Sequence, residues 1–427
     1  MNVPEALRTP TYTEPLALPK VIPALADLTQ DIAGPVPVHL LYAWAAGEQD
    51  AARATTLLDP FRVEGTVVSS DTSGLSRLTK EKDLLDVLGL ISEPKQILHG
   101  FGVEIGGTPI GTWVADNTQV LYPAAVAAPE IVAAMSEAER RIACELSIGV
   151  GMCVHRGAYY ELGGGLYGRD AHLVERLAEH HAGPGELLVT RVSRDACGSD
   201  FKFQRRDDLS TGHAGGIFSL TGAPRLPQME ALNRRYPHPY PADFFDLLIA
   251  LKTSDDKAAL RQQIYDRYLK EVVVVFVARA REGGHGEEGP ALLDDLVANV
   301  LLDALVSAQD TGRSHIAGLG GGIGILTFDA PQEALDAAQG LRRRFTANGL
   351  AVKIGMAAGP VLHFSNPRGP SGIAGSPVNM ASKLSEDRGV SGRINIASSL
   401  AAQLGGLPPA DPFELIVGGV VLHGVTV

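Results

Sequence analysis

Cysteine is scarce. The 427-residue chain holds three, Cys144, Cys153 and Cys197, and none has CxxC spacing, which excludes a zinc ribbon and a disulfide framework. Blocks of basic residues are missing too. Lys and Arg number 37 against 49 Asp and Glu, for a net charge of −12. A protein that holds nucleic acid by bulk electrostatics needs the opposite sign, so no nucleic-acid partner is expected. Long apolar runs are also lacking. Val272–Ala278 and Phe244–Leu251 fall far short of the roughly 20 residues that cross a bilayer, so no membrane span is expected. The opening MNVPEALRTP has no basic-then-apolar pattern, and the expectation is a soluble, cytoplasmic protein.

What is present is an ordinary globular balance, 45% apolar and 20% charged, which excludes wholesale disorder. The length suggests two to three domains. Seven prolines fall in the first forty residues (Pro4, Pro10, Pro15, Pro19, Pro23, Pro35, Pro37), a density that regular helix or central strand cannot hold. An extended arm is expected there, with a helix near His39–Leu58 that ends at Asp59-Pro60. A second punctuation is Tyr236-Pro-His-Pro-Tyr-Pro241. It is followed by helical periodicity over Asp243–Leu251 and Asp255–Lys270. The expected regions are 1–60 (arm and helix), 61–223, 224–269 (helical connector) and 270–427.

The two large regions repeat one pattern. Each opens with a β-branched run, Val63–Ser69 and Val272–Val277, then passes through a helical segment into a glycine-flanked hairpin, Gly100–Tyr122 and Gly318–Phe328. A helix, an apolar strand (Leu146–Val154; Val352–Ala357), a Gly-rich loop and a helix (Asp170–His180; Val378–Glu386) follow. A small strand closes each, at Gly185-Glu-Leu-Leu-Val-Thr and Gly392-Arg-Ile-Asn-Ile-Ala. The chain reads as a duplication of an α+β unit in β-α-β-β-α-β order.

Chemistry has one natural place in this pattern. Val67-Val-Ser-Ser-Asp71-Thr-Ser-Gly-Leu-Ser is a strand that ends in an Asp and a small-residue turn, whose amides can cradle phosphate. Asp116, in Val114-Ala-Asp116-Asn, sits at a hairpin tip. Two carboxylates presented from neighbouring strand ends suit divalent cations, although each Asp taken singly is an ordinary turn residue.

These residues carry a resemblance. Asp71-Thr-Ser-Gly-Leu-Ser with Ala115-Asp116-Asn resembles the class III nucleotidyl cyclase domain, with its D-I-x-G-F-T and G-D-G motifs. His155-Arg-Gly157, Gly168–Leu177 and Pro184-Gly-Glu-Leu-Leu-Val continue the likeness, the last resembling P-G-E-I-L-V. In the second half, Gly375-Ser-Pro-Val-Asn-Met-Ala-Ser-Lys-Leu384 is similar to G-x-x-V-N-x-A-x-R-L. The resemblance implies two ferredoxin-like (palm-type) cyclase-homology domains packed as an intramolecular pseudo-dimer, with sites formed between them.

It also implies roles by position. Asp71 and Asp116 fall on the metal positions, for two Mg2+ or Mn2+ ions. Asn379 falls on the catalytic Asn position and Lys383 on the catalytic Arg position. Thr72, Ser73 and Gly74 form the substrate-side turn. Gly318 and Gly372 fall on the purine-reading positions of the second half, and Thr112 and Gly165 on those of the first. The opposite site is degenerate, with His172 and Arg176 facing Ala278 and Gly322 where metal ligands belong. Glycines at 318 and 372 offer no side chain to a base edge, and Lys383 lacks the bidentate fork of arginine. A family phosphate-binding lysine aligns with His423.

The resemblance therefore implies a divergent cyclase-like protein that takes a nucleoside triphosphate. The alternative is a catalytically inactive pseudo-cyclase acting as a nucleotide sensor or through a protein partner. Other motifs read as structure. Gly318–Gly324 lacks the third glycine of a dinucleotide loop and leads into a strand, so it reads as a hairpin turn. His180-His181 reads as a helix end, His155 and His172 as core or surface histidines, and Phe244–Leu251 as a helix face buried between domains.

Overall fold

The computed structural model describes residues 36–74, 78, 82–111, 113, 117–209, 215–226, 235–280, 288–309, 313–364, 372–417 and 420–427. Most of the proline-rich arm lies outside them. The described chain divides into two compact units. One comprises Leu58–Leu75 and Asp86–Pro239. The other comprises the described residues up to Leu57, those between Ser76 and Leu85, and Tyr240–Val427.

Where one helix is expected over His39–Leu58, there are two, α1 (Val38–Ala45) and α2 (Ala51–Leu58). The chain leaves the helix at Ala46, and Asp50 then caps a new start by accepting from the Arg53 amide at 2.8 Å. Trp44 of α1 is fully buried, and its indole N–H donates to Asp294 at 3.0 Å, within the second unit.

The first unit runs β1 (Arg62–Thr72), α3 (Leu84–Glu104), β2 (Thr108–Pro109), β3 (Thr118–Pro123), α4 (Ala128–Glu145), β4 (Val150–Leu162), β5 (Gly165–Tyr167), α5 (Arg169–His180), β6 (Leu187–Thr190), α6 (Arg191–Asp195), β7 (Lys202–Arg205) and β8 (Ile217–Gly222). Its sheet order is β2-β3-β1-β4-β6-β8-β7, with β5 paired to β4. β1 lies antiparallel to both β3 and β4. Val67 packs with Leu173, Val174 and Leu177 of α5. The strand is buried from Gly65 to Ser70 on both faces, and its buried Ser69 and Ser70 are satisfied by bonds to Thr118 of β3.

The second unit continues with α7 (Ala242–Thr253), α8 (Lys257–Tyr268), β9 (Leu269–Arg279), α9 (Gly289–Ser307), β10 (Ser314–Gly320), β11 (Ile323–Phe328), α10 (Pro331–Ala347), β12 (Val352–Phe364), β13 (Gly372–Ala374), α11 (Ser376–Glu386), β14 (Ile394–Ala397), α12 (Ser398–Ala401), β15 (Asp411–Val417) and β16 (Val420–Thr426). Its order, β10-β11-β9-β12-β14-β16-β15 with β13 on β12, repeats the first sheet strand for strand. Val273, Val275 and Val277 enter a core with Leu302 of α9 and Leu335 and Leu341 of α10. Val272, Val274, Phe276 and Ala278 pack on Ala381 and Leu384 of α11. The fold is mixed α+β with two similar sheets. The turns before β6 and β14 both require a left-handed residue and both use glycine, Gly185 (φ 77°) and Gly392 (φ 75°).

Some elements differ from the expectation. α3 reaches Glu104 through an internal proline, Pro94, so the first hairpin shrinks to β2 and β3. β4 and β12 run on into the Gly-rich segments and pair with β5 and β13. The small closing strands are not the last: each sheet gains a terminal hairpin, β7–β8 and β15–β16. The Phe244–Leu251 face packs within its own unit, with the Phe244 ring 4.5 Å from that of Phe364 and 5.3 Å from that of Tyr268. Among the described residues, no helix is long and apolar enough to cross a membrane.

Candidate functional site

Asp71 and Thr72 are the last residues of β1, opposite Gly151 and Val150 of β4. Gly151 is held to glycine because a Cβ there would stand 2.7 Å from the Ala182 carbonyl oxygen. Asp71 is half-buried and Thr72 buried. The chain turns at Ser73 and Gly74, where Gly74 takes φ 85° and the Ser73 amide donates to Gly149 O at 3.1 Å. That amide is therefore spent inside the fold, which leaves Gly74 and the side chains as the turn's means of meeting an anion. One strand over, Ser70 and Thr118 share a hydroxyl–hydroxyl bond of 2.5 Å that ties β1 to β3. Asp116 and Thr112 lie outside the described residues.

The second sheet has a different chemistry at the matching place. Ala278, one residue before the end of β9, stands opposite Lys353 of β12, just as Asp71 stands opposite Gly151. In β9 the carboxylate has become a methyl that is 6% exposed, and across the ladder a glycine has become a lysine. The Lys353 ammonium donates to Glu386 O at the end of α11, at 3.3 Å. Gly322 takes φ 87° in the β10–β11 turn, and its carbonyl accepts from the Arg279 amide at 2.8 Å. A Cβ on Gly322 would meet Asn299 Oδ1 at 2.7 Å. Arg279, Asn299 and Asp303 are buried beside this turn, and Arg279 pairs with Asp295. Sequence reasoning missed Lys353 and this polar group. The spacing of Asp295, Asn299 and Asp303, four residues apart on α9, was the available signal.

Asn379 and Lys383 lie one turn apart on α11, on one side of the helix. Both are half-buried. The Asn379 side chain makes no hydrogen bond among the described residues, and Lys383 forms a 3.7 Å ion pair with Asp387, the residue that caps the end of α11. On α5, His172 is half-buried and Arg176 exposed. Gly318 follows a bulge in β10, and Gly372 opens β13 opposite Phe364. Gly165 opens β5 opposite Leu162. His423 lies on the terminal hairpin as a surface group, 3.8 Å from Glu414.

His155 belongs to a buried network. It is 4% exposed, with Nδ1 2.8 Å from the Thr190 hydroxyl and Nε2 3.2 Å from Asp170 Oδ1. Asp170 Oδ2 also accepts from the Ala158 amide at 2.8 Å. Burial alone raises the Asp170 pKa. The hydrogen bonds from His155 and Ala158, with the nearby positive charge, outweigh burial and hold it below the usual carboxylate value. Gly157 is required here, since a Cβ would stand 2.6 Å from Asp170 Cγ and 2.9 Å from His155 Nε2. This network fixes the start of α5 to β4.

Among the described residues, no three His, Cys, Asp or Glu side chains group as a metal site. Asp71 supplies one hard oxygen donor of the kind Mg2+ and Mn2+ prefer, and Asp116 is the second such donor in the sequence. The donor chemistry fits a divalent cation provided that substrate oxygens complete the shell.

No family model matches the chain, and no curated protein does. Among solved structures, the chain is similar to a class III adenylyl cyclase-like ATP-binding protein from Pseudomonas aeruginosa, with 12% identity and a TM-score of 0.48 over 80% of this chain and 85% of that one. It is similar to the adenylyl cyclase CyaB from P. aeruginosa, at 17% identity and a TM-score of 0.33, covering 38% of this chain and 96% of that one. The guanylate cyclase domain of RhGC from Catenaria anguillulae, solved in complex with GTP, gives 14% identity and a TM-score of 0.34 over 38% and 99%. Identities this low speak only to fold, and the functional reading rests on the residues.

Proposed function

We propose that the chain is a divergent class III nucleotidyl cyclase-like protein with one composite site. Asp71 and Asp116 of the first unit would hold divalent cations, and Asn379 and Lys383 of the second would face them across a pseudo-dimer. The observation that carries this reading is the unequal pair of strand ends. Asp71 faces Gly151, whereas Ala278 faces Lys353. Only the first combination offers a carboxylate with no cation opposite it on the ladder, and the complementary Asn belongs only to the other unit.

A bound divalent cation supplies charge neutralisation to the triphosphate and eases deprotonation of the attacking hydroxyl. The chain's own groups do the rest. Asn379 donates a side-chain N–H to the reacting nucleotide, and the Lys383 ammonium balances charge that grows on the phosphate oxygens. The ribose 3′-oxygen forms its bond to the α-phosphorus as the bond to pyrophosphate breaks, and the hydroxyl proton leaves to solvent.

A second reading is a pseudo-cyclase that senses nucleotide without turnover. The engaged Ser73 amide, the Lys383–Asp387 pair and the bare glycines at 318 and 372 favour it. The two readings separate in one experiment, in which Mn2+ and ATP are titrated into the parent, Asp71→Ala and Asn379→Ala while cyclic product is assayed. Loss of a charged ligand costs about 2 kcal/mol or more, so Asp71→Ala should abolish Mn2+-dependent binding. Asn379→Ala should keep binding and lose product. Parent-like binding by Asp71→Ala refutes the site, and binding without product in the parent selects the sensor.

A further inference from the structure

The second unit buries an imidazole that no hydrogen bond accounts for. His363, next to last in β12, is 5% exposed, and neither ring nitrogen has a hydrogen-bond partner among the described residues. Buried polar atoms left in that state cost free energy unless something meets them. The ring of His315, in β10, stands beside it, with centroids 5.9 Å apart and planes at 69°. β10 and β12 are not neighbours in the sheet. The two rings meet because they share a face. His315 is opposite Thr327, Thr327 is opposite Val274, and Val274 is opposite Ala357. Side chains alternate along a strand, so His363, an even number of residues beyond Ala357, lies on that same face. There Val274 and Val361 pack with Ala381 and Leu384 of α11. His315 is exposed, so water reaches the pair from its side.

This spacing suits a shared ion. Zinc lies about 2.0–2.1 Å from an imidazole nitrogen, so two rings on one ion have centroids roughly 5–6 Å apart. We propose that His315 and His363 form a two-histidine site for a transition-metal cation of the Zn2+ type, with water at the remaining positions. Imidazole nitrogen favours such ions, whereas Mg2+ favours oxygen. Among the described residues no third His, Cys, Asp or Glu joins the pair, so the shell is open and the ion exchangeable. Lys270 of β9 and Asp329 after β11 act on His363 with opposite charges, which offset each other. The ion ties β10 to the β12–β13 hairpin. His363 is opposite Ile373, shortly before α11 begins at Ser376, so occupancy steadies the entry to that helix. The site shares no residue with the proposed nucleotide site and stands whether or not that reading holds.

The test titrates Zn2+ into the full chain in excess Mg2+ by calorimetry, and X-ray absorption at the zinc edge reads the ligand type. Hydrogen exchange over 372–376 is followed with and without Zn2+. The variants are His315→Ala, His363→Leu, Lys270→Ala and His180→Ala, with circular dichroism to confirm folding. Changing a group that only orients a metal ligand costs about tenfold to a hundredfold in affinity. Loss of either ligand should therefore weaken Zn2+ binding by about tenfold or more and remove the paired imidazole signal. His315→Ala alters an exposed side chain, and it decides the matter if His363→Leu fails to fold. Lys270→Ala and His180→Ala should bind Zn2+ as the parent does. Zn2+ should slow exchange over 372–376 in the parent and in neither histidine variant of the pair. A parent that binds no Zn2+, or parent-like binding by both His315→Ala and His363→Leu, overturns the site. Zn2+ lost with His180→Ala instead puts the ion elsewhere and overturns it too. Inorganic phosphate bound in place of Zn2+, and weakened by Lys270→Ala, makes this an anion site and refutes the metal. Zn2+ binding that depends on both histidines but leaves exchange unchanged overturns the link to α11.

Discussion

Gly355 of β12 is the point where sheet and helix approach most closely beside Asn379. A Cβ built there stands 2.8 Å from the Ser385 amide nitrogen and closer still to the Ala381 carbonyl oxygen. Both are backbone atoms of α11, so no rotamer change can relieve the contact. α11 cannot easily withdraw. Ala381, Leu384 and Ser385 are fully buried, Asn395 donates to Leu384 O at 2.8 Å, and Ser385 donates to Lys353 O at 3.1 Å. Overpacking costs about 1–3 kcal/mol, and strain on one tether adds about 1 kcal/mol. The lower unfolded-state entropy of alanine returns about 0.4–1 kcal/mol. Gly355→Ala should therefore destabilise by about 2–3 kcal/mol, which lowers Tm by roughly 5–10 °C for a unit of this size. The matching residue in the first unit, opposite Ser69 as Gly355 is opposite Phe276, is the fully buried Cys153. That side chain fits, so Cys153→Ala should cost only about 1 kcal/mol by leaving a small void. Thermal and urea melts check both. A Gly355→Ala protein with an unchanged midpoint and unchanged hydrogen exchange over 376–387 would refute the close-approach argument.

Lys383→Ala should leave stability within about 0.5 kcal/mol, because a partly exposed i,i+4 pair with Asp387 contributes little. Nucleotide affinity should fall nonetheless, as calorimetry would reveal, and an equal affinity denies Lys383 a binding role. For Asp170 the folded pKa is lowered, so its contribution is present above about pH 4 and fades as pH falls through the folded value. Asp170→Asn should then cost about 1–2 kcal/mol at pH 7, and denaturation midpoints of variant and parent should converge below about pH 4. A gap that persists to pH 2 contradicts the assignment. Ala278→Asp should not create a metal site, because Lys353 across the ladder neutralises the new carboxylate. Mn2+ counted by equilibrium dialysis should match the parent, and additional bound metal would show that Lys353 does not control that end.

How much of this was legible in the sequence depends on the kind of interaction. The β-branched runs at β1 and β9 announced central strands because both faces of those strands are covered. The helix with Asn379 and Lys383 was legible from its glycine entry and apolar spacing. The terminal hairpins were not: Lys202-Phe-Gln-Arg and its partner are short, mixed in polarity and stabilised by pairing with β6, a long-range event. α3 was cut short in expectation because a glycine-flanked hairpin was expected from Gly100, whereas the helix runs to Glu104 with Pro94 inside it. Burial of Leu88, Ile91, Ile97 and Leu98 holds the helix through it. Lys353 and Arg279 were invisible as site residues, since their meaning lies in what stands across the ladder or above the sheet.

The cross-strand pairing also explains why the two ends of this duplication cannot be interchanged. Opposed residues in an antiparallel ladder stand about 5 Å apart. A lysine opposite this position repels a divalent cation held there, the more so as the surroundings exclude water. Loss of the carboxylate at Ala278 would alone have left a weak cation site, open to recovery by one substitution. Lys353 opposite it adds repulsion in the same direction, and its bond to Glu386 O closes the end of α11. Ala278 meanwhile packs with Ala381 and Leu384 beneath the helix that carries Asn379. The second unit uses its strand end to support α11, whereas the first has Asp71 there, opposite Gly151. The two matching strand ends thus carry opposite chemistry, a carboxylate in the first unit and an alanine faced by a lysine in the second.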